Sequence, residues 1–216
     1  MAAVEDCYTV LRWLYRDSAA IGINPQRIAV LGDRAGGGIA AGLVLLARDR
    51  GEVPIACQVL TYPMLDDRTG STVDPGEYSG EFGWSRAANR FAWQARLGHP
   101  PGSRPLSPYL SPAHATELAG LPPTFIGVGA LDLFAPESMA YAQLLISSGV
   151  PTELHVYPGA VHGFDWVRDA AVSLQFARDR MAAVRRLLAS QAAEKRRRGR
   201  QDKAKTAEEA EFRCSK

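Results

Sequence analysis

Apolar residues at three- and four-residue spacings open the chain. Val4, Cys7, Val10, Leu11 and Leu14 share one face of a helix predicted over residues 4–17. Gly22 and Pro25 punctuate the chain, and Arg27-Ile-Ala-Val-Leu31 follows as a short apolar run of the kind that forms a buried strand. That run enters Gly32-Asp-Arg-Ala-Gly-Gly-Gly38 directly. A second helix follows and ends near Arg50-Gly51, with basic residues in its last turn and glycine as a stop. Ile55 to Tyr62 predicts a second buried strand, closed by Pro63, and Thr124 to Val128 a third, after Pro122-Pro123. Pro136 to Gly149 has Pro in its first turn and Gly at its end, as helices do. Thr152 to Tyr157 alternates polar and apolar, which suits an edge or half-covered strand, and a last helix is predicted from Val167 to about Ala193.

Strands alternating with helices predict an α/β fold with a mostly parallel sheet of about four strands. Residues 64–121 break the alternation. They are rich in Pro, Gly and aromatics, with one helix expected around Ser85–Arg96, and irregular chain of that length usually covers a site or forms a lid. The expected organisation is a domain over 1–190, with 64–121 as a lid-like insertion, and a charged, frayed or disordered tail over 191–216.

Composition changes this picture little. At 46% hydrophobic and 22% charged residues the chain is not wholesale disordered. The longest apolar run, Ile39 to Ala47, is far short of the roughly 18 residues of a membrane span. The acidic start lacks a basic and then apolar leader, and Cys7, Cys57 and Cys214 show no redox or metal-ligand pairing, so a reducing cytoplasm and no metal are expected. Charge is more informative. Residues 191–216 hold nine Lys or Arg and five acids, whereas residues 1–190 hold 16 Arg, no Lys and 18 acids. The body is mildly acidic, so its surface offers no reason to expect nucleic acid.

The candidate chemistry sits at Gly32-Asp33-Arg34-Ala35-Gly36. A strand running into Gly-x-X-x-Gly and then a helix is the setting of a nucleophile elbow, where a sharp turn projects the central residue above the sheet. A phosphate cradle or a simple tight turn also fits the glycines, but the Lys of a P-loop is missing. An elbow needs an acid and then a histidine downstream. Asp132 follows the third strand and His162 the fourth, both just past the carboxyl ends of parallel strands. Singly, Asp132 also suits a helix cap and His162 a partly buried turn.

With these pieces in place, the chain resembles the α/β-hydrolase fold-3 group, the hormone-sensitive-lipase-like esterases. The matching segments are Val4-Glu-Asp-Cys-Tyr with Leu11-Arg-Trp-Leu14, Arg27-Ile-Ala-Val-Leu-Gly-Asp with Ala-Gly-Gly-Gly38, Leu60-Thr-Tyr-Pro-Met-Leu-Asp-Asp67, Ser107-Pro-Tyr-Leu-Ser-Pro112, Leu121-Pro-Pro-Thr-Phe with Gly-Ala-Leu-Asp132, and Tyr157-Pro-Gly-Ala-Val-His-Gly-Phe164. They cover residues 4 to about 190. The resemblance implies a carboxylic-ester hydrolase with Asp132 and His162 as triad acid and base, no cofactor, and the Ala35 backbone N–H as an oxyanion donor.

The family pattern at the elbow is Gly-Asp-Ser-Ala-Gly, and Arg34 stands where the serine belongs. A guanidinium has no free lone pair and stays protonated, so it cannot attack a carbonyl. Asp33, Ser107 and Ser111 are not expected to take over. The family's upstream His-Gly-Gly-Gly oxyanion segment has no counterpart before residue 32, and by resemblance four strands and a cap segment precede the part matched here. The expectation is therefore an incomplete α/β-hydrolase fold with impaired or absent turnover. The alternatives are a non-catalytic homologue that binds a small acyl or carboxylate ligand or a partner chain, and a fragment without independent function. The resemblance further implies that Trp84, Phe91 and Trp93 line the acyl side, although packing of a lid helix explains them equally. Glu137 matches an acid common in the family and also suits the start of its helix. Arg34 is expected to pair with Asp132 or to hold an anion. The Arg27–Leu31 strand, central in the family, is expected to present an open edge that leads to poor solubility, to self-association, or to a partner that supplies the missing strands.

Overall fold

The computed structural model describes residues 1–189. Four helices, α1 (Ala2–Arg16), α2 (Ala35–Arg50), α3 (Arg86–Leu97) and α4 (Ala135–Ser147), alternate with strands β1 (Ala29–Asp33), β2 (Cys57–Thr61), β3 (Thr124–Gly129) and β4 (Thr152–Tyr157). A fifth helix, α5, covers 171–189. The predicted charged tail and Cys214 lie outside the described residues.

The strands form one parallel sheet in the order β1-β2-β3-β4, with Leu31 beside Val59, Val59 beside Phe125 and Phe125 beside Glu153. β2 and β3 are buried along their whole length, as the inner strands of a sheet covered on both faces must be, and β1 and β4 are only partly covered. On one face, α2 and α4 pack Ala41, Val44, Leu45, Tyr141 and Leu145 onto Leu60 and Ile126. On the other, Phe176 and Ala183 of α5 meet Val59, Phe125, Val128 and Tyr157. The apolar stripe of α1 (Val4, Tyr8, Leu11) closes against Leu43, Leu46 and Ala47 of α2. No helix among the described residues is long and apolar enough to cross a membrane.

Most element boundaries agree with the sequence pattern within two residues. β1 is displaced toward the elbow, ending at Asp33 instead of Leu31. The last helix starts at 171, later than the predicted Val167, because Phe164–Trp166 form a 3-10 turn and the following residues complete the reversal that brings Trp166 back to the sheet end.

The lid-like stretch is tied down by buried polar groups. Asp67 accepts from Ser111 Oγ at 3.0 Å and the Gly102 N–H at 2.8 Å, and its carboxylate lies 2.7 Å from His114 Nε2. Helix α3 begins at an N-cap serine, whose Ser85 hydroxyl accepts from the Ala88 N–H. The polypeptide from 106 to 110 lies close over α2. A Cβ added at Gly42 would sit 2.2 Å from the Tyr109 carbonyl oxygen, whereas one at Gly36 would meet nothing within 4 Å. Gly42→Ala is therefore expected to cost about 1–3 kcal/mol through backbone overpacking. Gly36→Ala should be neutral or slightly stabilising, and urea melts of the two variants check the contrast.

Candidate active site at the elbow

Strand β1 meets helix α2 at Arg34, whose backbone lies at φ 57°, ψ −126°, a conformation that L-residues adopt only under constraint. The constraint is visible on both sides. The Arg34 N–H donates to the Thr61 carbonyl at 3.0 Å, and the Arg34 carbonyl accepts from the N–H groups of Met64 at 3.0 Å and Gly38 at 3.2 Å. Gly32 permits the turn, because a Cβ there would lie 2.3 Å from the Gly36 carbonyl oxygen. Ala35 and Gly36 are exposed in the first turn of α2, where amide groups have no intrahelical acceptor.

Asp132 and His162 come together beside this turn. His162 Nδ1 lies 2.9 Å from Asp132 Oδ2, and the other Asp132 oxygen accepts from the Phe134 N–H at 2.9 Å. A carboxylate only accepts, so the hydrogen of this bond belongs to Nδ1 and the lone pair of the ring to Nε2. The His162 side chain is only 5% exposed. Its ring packs against Tyr62 at 4.7 Å, Phe134 at 5.3 Å and Trp84 at 5.9 Å between centroids. The arrangement fixes one tautomer and one orientation, the requirement for a general base.

Arg34 does not join this pair, contrary to the expectation that it would engage Asp132. Both Asp132 oxygens are already occupied, and the Arg34 side chain instead crosses to the loop after His162. Its Cζ lies 3.8 Å from the Trp166 ring centroid and 5.4 Å from that of Tyr62. One guanidinium nitrogen donates to the Tyr62 hydroxyl at 3.3 Å, which in turn donates to Asp165 at 2.6 Å. Burial and the Asp165 carboxylate push the Tyr62 phenol up, and the nearby guanidinium opposes them. Arg34 Nε is buried without a hydrogen-bond partner among the described residues.

The other sequence candidates separate. Trp84 stands against His162, Trp93 is fully buried with Met64, Leu133 and Phe134, and Phe91 faces solvent at 76% exposure. Asp33 points toward Arg180, 3.7 Å away. Ser111 is buried and donates to Leu65 and Asp67, and the Ser107 hydroxyl accepts from the Tyr109 N–H. Sequence reasoning missed Tyr62, Asp165 and Trp166, although Tyr62 and Asp165 fall in or beside the quoted motifs. Among the described residues, Asp66, Asp67 and His114 lie close enough to share a metal ion, but Arg68 forks onto Asp66, and Ser111, His114 and Gly102 occupy Asp67.

With this geometry in hand, similarity to known proteins becomes informative. A family profile described as alpha/beta hydrolase fold matches residues 1–165. The chain belongs to that family. It is 36% identical over 171 residues to carboxylesterase NlhH of Mycobacterium tuberculosis, covering 76% of this chain and 51% of that protein. It is 32% identical over 173 residues to esterase LipI of the same organism, covering 76% and 50%. Among solved structures, a bacterial heroin esterase superposes with a TM-score of 0.80 at 40% identity, covering 86% of this chain and 59% of that one. Esterase LipW from Mycobacterium marinum gives 0.75 at 34%, covering 85% and 57%. The hydrolase-fold chain spans about half the length of the curated relatives it matches.

Glu137 is the remaining buried acid near the site. It accepts from the Leu65 N–H at 2.6 Å and from the Thr69 hydroxyl, so it clamps the segment that leaves β2 and does more than begin α4. Burial pushes its carboxyl well above the usual range, against the lowering effect of those two hydrogen bonds. A value raised in the folded state means that stability from this group is full below the ordinary carboxylate range and is lost as pH rises through the raised value. Denaturant midpoints should therefore fall with pH over that window, and less steeply in Glu137→Gln. Parallel slopes in the two proteins would assign the dependence to other groups.

Proposed function

We propose that this chain carries the architecture of a carboxylic-ester hydrolase in which Arg34 has replaced the attacking serine, so that it does not turn over esters by the serine mechanism. The observation that carries the reading is the strained elbow at Arg34, set beside a buried Asp132–His162 pair. In an acyl-transfer site of this type the nucleophile adds to the carbonyl while the His Nε2 takes its proton. Here the base is held ready, but the residue at the elbow has no lone pair to give. The Ala35 N–H supports the role of oxyanion donor, which requires no particular side chain. The Trp84 ring, 5.9 Å from that of His162, supports a role as a border for an acyl group. Removing a triad nucleophile leaves at most about 10³–10⁴-fold acceleration over water. The free Cys7 and Cys57 favour a cytoplasmic setting.

Hydrolysis of p-nitrophenyl acetate and butyrate tests the assignment. The unmodified chain is expected to match the buffer rate, and Arg34→Ser to gain turnover that a further His162→Ala removes. Turnover by the unmodified chain that His162→Ala abolishes would overturn the proposal.

A second reading, retention of a small carboxylate, is favoured by one observation. Arg34 directly precedes the exposed first amides of α2, and a guanidinium and a helix start both attract anions. Acetate and butyrate titrated against isotope-labelled chain should shift the Ala35 and Gly36 amide resonances, with affinity at least about tenfold weaker in Arg34→Gln if the guanidinium contributes one charge-assisted bond. Equal affinity of the two proteins counts against this reading.

A further inference from the structure

Away from the elbow, β4 and α5 meet through a histidine set between two carboxylates. We propose that His155 is a pH-sensitive clasp, which fastens α5 to β4 when both ring nitrogens carry hydrogen and loosens it when one is lost. Glu153, His155 and Tyr157 alternate along β4 and so share one face of the strand, the face that α5 covers. His155 Nε2 lies 2.8 Å from Glu153 Oε1 on its own strand, and Nδ1 lies 3.4 Å from Asp179 Oδ2 on α5. The Tyr157 hydroxyl stands at a fork, 3.0 Å from Asp179 Oδ2 and 3.4 Å from His155 Nδ1. Arg186 of α5 pairs with the second oxygen of Glu153. From β3, the Phe125 ring packs against the imidazole at 5.2 Å between centroids. Among the described residues, the titratable and charged groups of this cluster are therefore Glu153 and Tyr157 of β4, and Asp179 and Arg186 of α5.

The supply of hydrogens decides how firmly the cluster holds. Carboxylates only accept, and a neutral imidazole has one N–H and one lone pair. In the neutral ring, the nitrogen without a hydrogen therefore turns its lone pair toward a carboxylate. With Nε2–H given to Glu153, Nδ1 can be satisfied only by the Tyr157 hydroxyl, which then leaves Asp179. One acceptor always lacks a hydrogen. A second ring proton removes the conflict, since Nε2–H serves Glu153 while Nδ1–H and the Tyr157 hydroxyl both serve Asp179. Burial and the Asp179 carboxylate push the Tyr157 phenol up, so its hydroxyl keeps its hydrogen throughout. The Arg186–Glu153 pair also joins α5 to β4, but an arginine stays charged and that link does not vary. Contacts made only by the doubly protonated ring are present at the acid end and are lost as pH rises. The helix they hold also backs the loop after His162, where Ser173 Oγ donates to the Phe164 carbonyl at 2.8 Å and the Phe176 ring lies 5.4 Å from that of Phe164.

Hydrogen exchange in the full chain reads the clasp. Between about pH 5.5 and 8, a range that brackets ordinary histidine titration, the protection factors of the α5 amides should fall as pH rises. The fall should exceed that in His155→Gln by at least about threefold, the size of effect a partly exposed ion pair produces. Glutamine keeps a donor and an acceptor but has no proton to gain, so it removes the pH dependence of the contact and leaves other titrations in place. Tyr157→Phe, in which nothing can satisfy the bare Nδ1, should show a steeper fall than the unmodified chain. Nitrogen resonances of labelled His155 should show Nδ1 losing its hydrogen as pH rises while Nε2 keeps its own. An equal fall in the unmodified chain and in His155→Gln, or a ring that gives up the Nε2 hydrogen and keeps that on Nδ1, would overturn the proposal.

Discussion

The close crossing of β1 over the first turn of α2 is the constraint from which the rest of this molecule follows. The Gly32 α-carbon and the Gly36 carbonyl are so near that no side chain fits between them, and the turn joining them holds Arg34 at positive φ. Such backbone strain costs on the order of 1–3 kcal/mol and persists only where surrounding bonds over-determine it. Here the Thr61 carbonyl and the Met64 N–H provide that determination from the end of β2. The same crossing aims the α2 N-terminus at the sheet end where Asp132 and His162 arrive.

What the elbow projects is decided by one residue, and the Arg34 side chain finds its partners in the loop after His162 and in Tyr62. A serine would need only space and a base. A guanidinium needs charge compensation, and it finds this away from the Asp132–His162 pair, through stacking on Trp166 and a relay through Tyr62 to Asp165. A cation over an indole contributes about 0.5–1 kcal/mol when exposed and more when desolvated, enough to hold the side chain across the loop after His162. The His162 ring therefore keeps its orientation on Asp132, apart from the guanidinium.

Buried acids hold the lid-like insertion to the same frame. Asp67 gathers Ser111, His114 and the Gly102 backbone, and Glu137 takes the Leu65 N–H, so the long irregular stretch is anchored at its root as well as packed through Trp93. Breaking a network of this kind leaves buried polar groups without partners in a low-dielectric interior.

Local chemistry settled much in advance. Alternating apolar runs and helix-spaced stripes, bounded by Gly and Pro, defined the four strands and most helices. The order of Gly-x-X-x-Gly turn, Asp132 and His162 after successive strands marked the candidate site, with an arginine at residue 34. Three-dimensional packing decided the remainder, because it depends on residues far apart in the chain. That Arg34 turns to Trp166 and not to Asp132, that Trp93 is core while Phe91 faces solvent, and that Glu137 is a clamp are outcomes of competition among contacts that no local pattern encodes. The chain by itself named the groups at the site, and the tertiary structure chose their partners, since hydrogen bonds and burial are satisfied in space and not along the sequence.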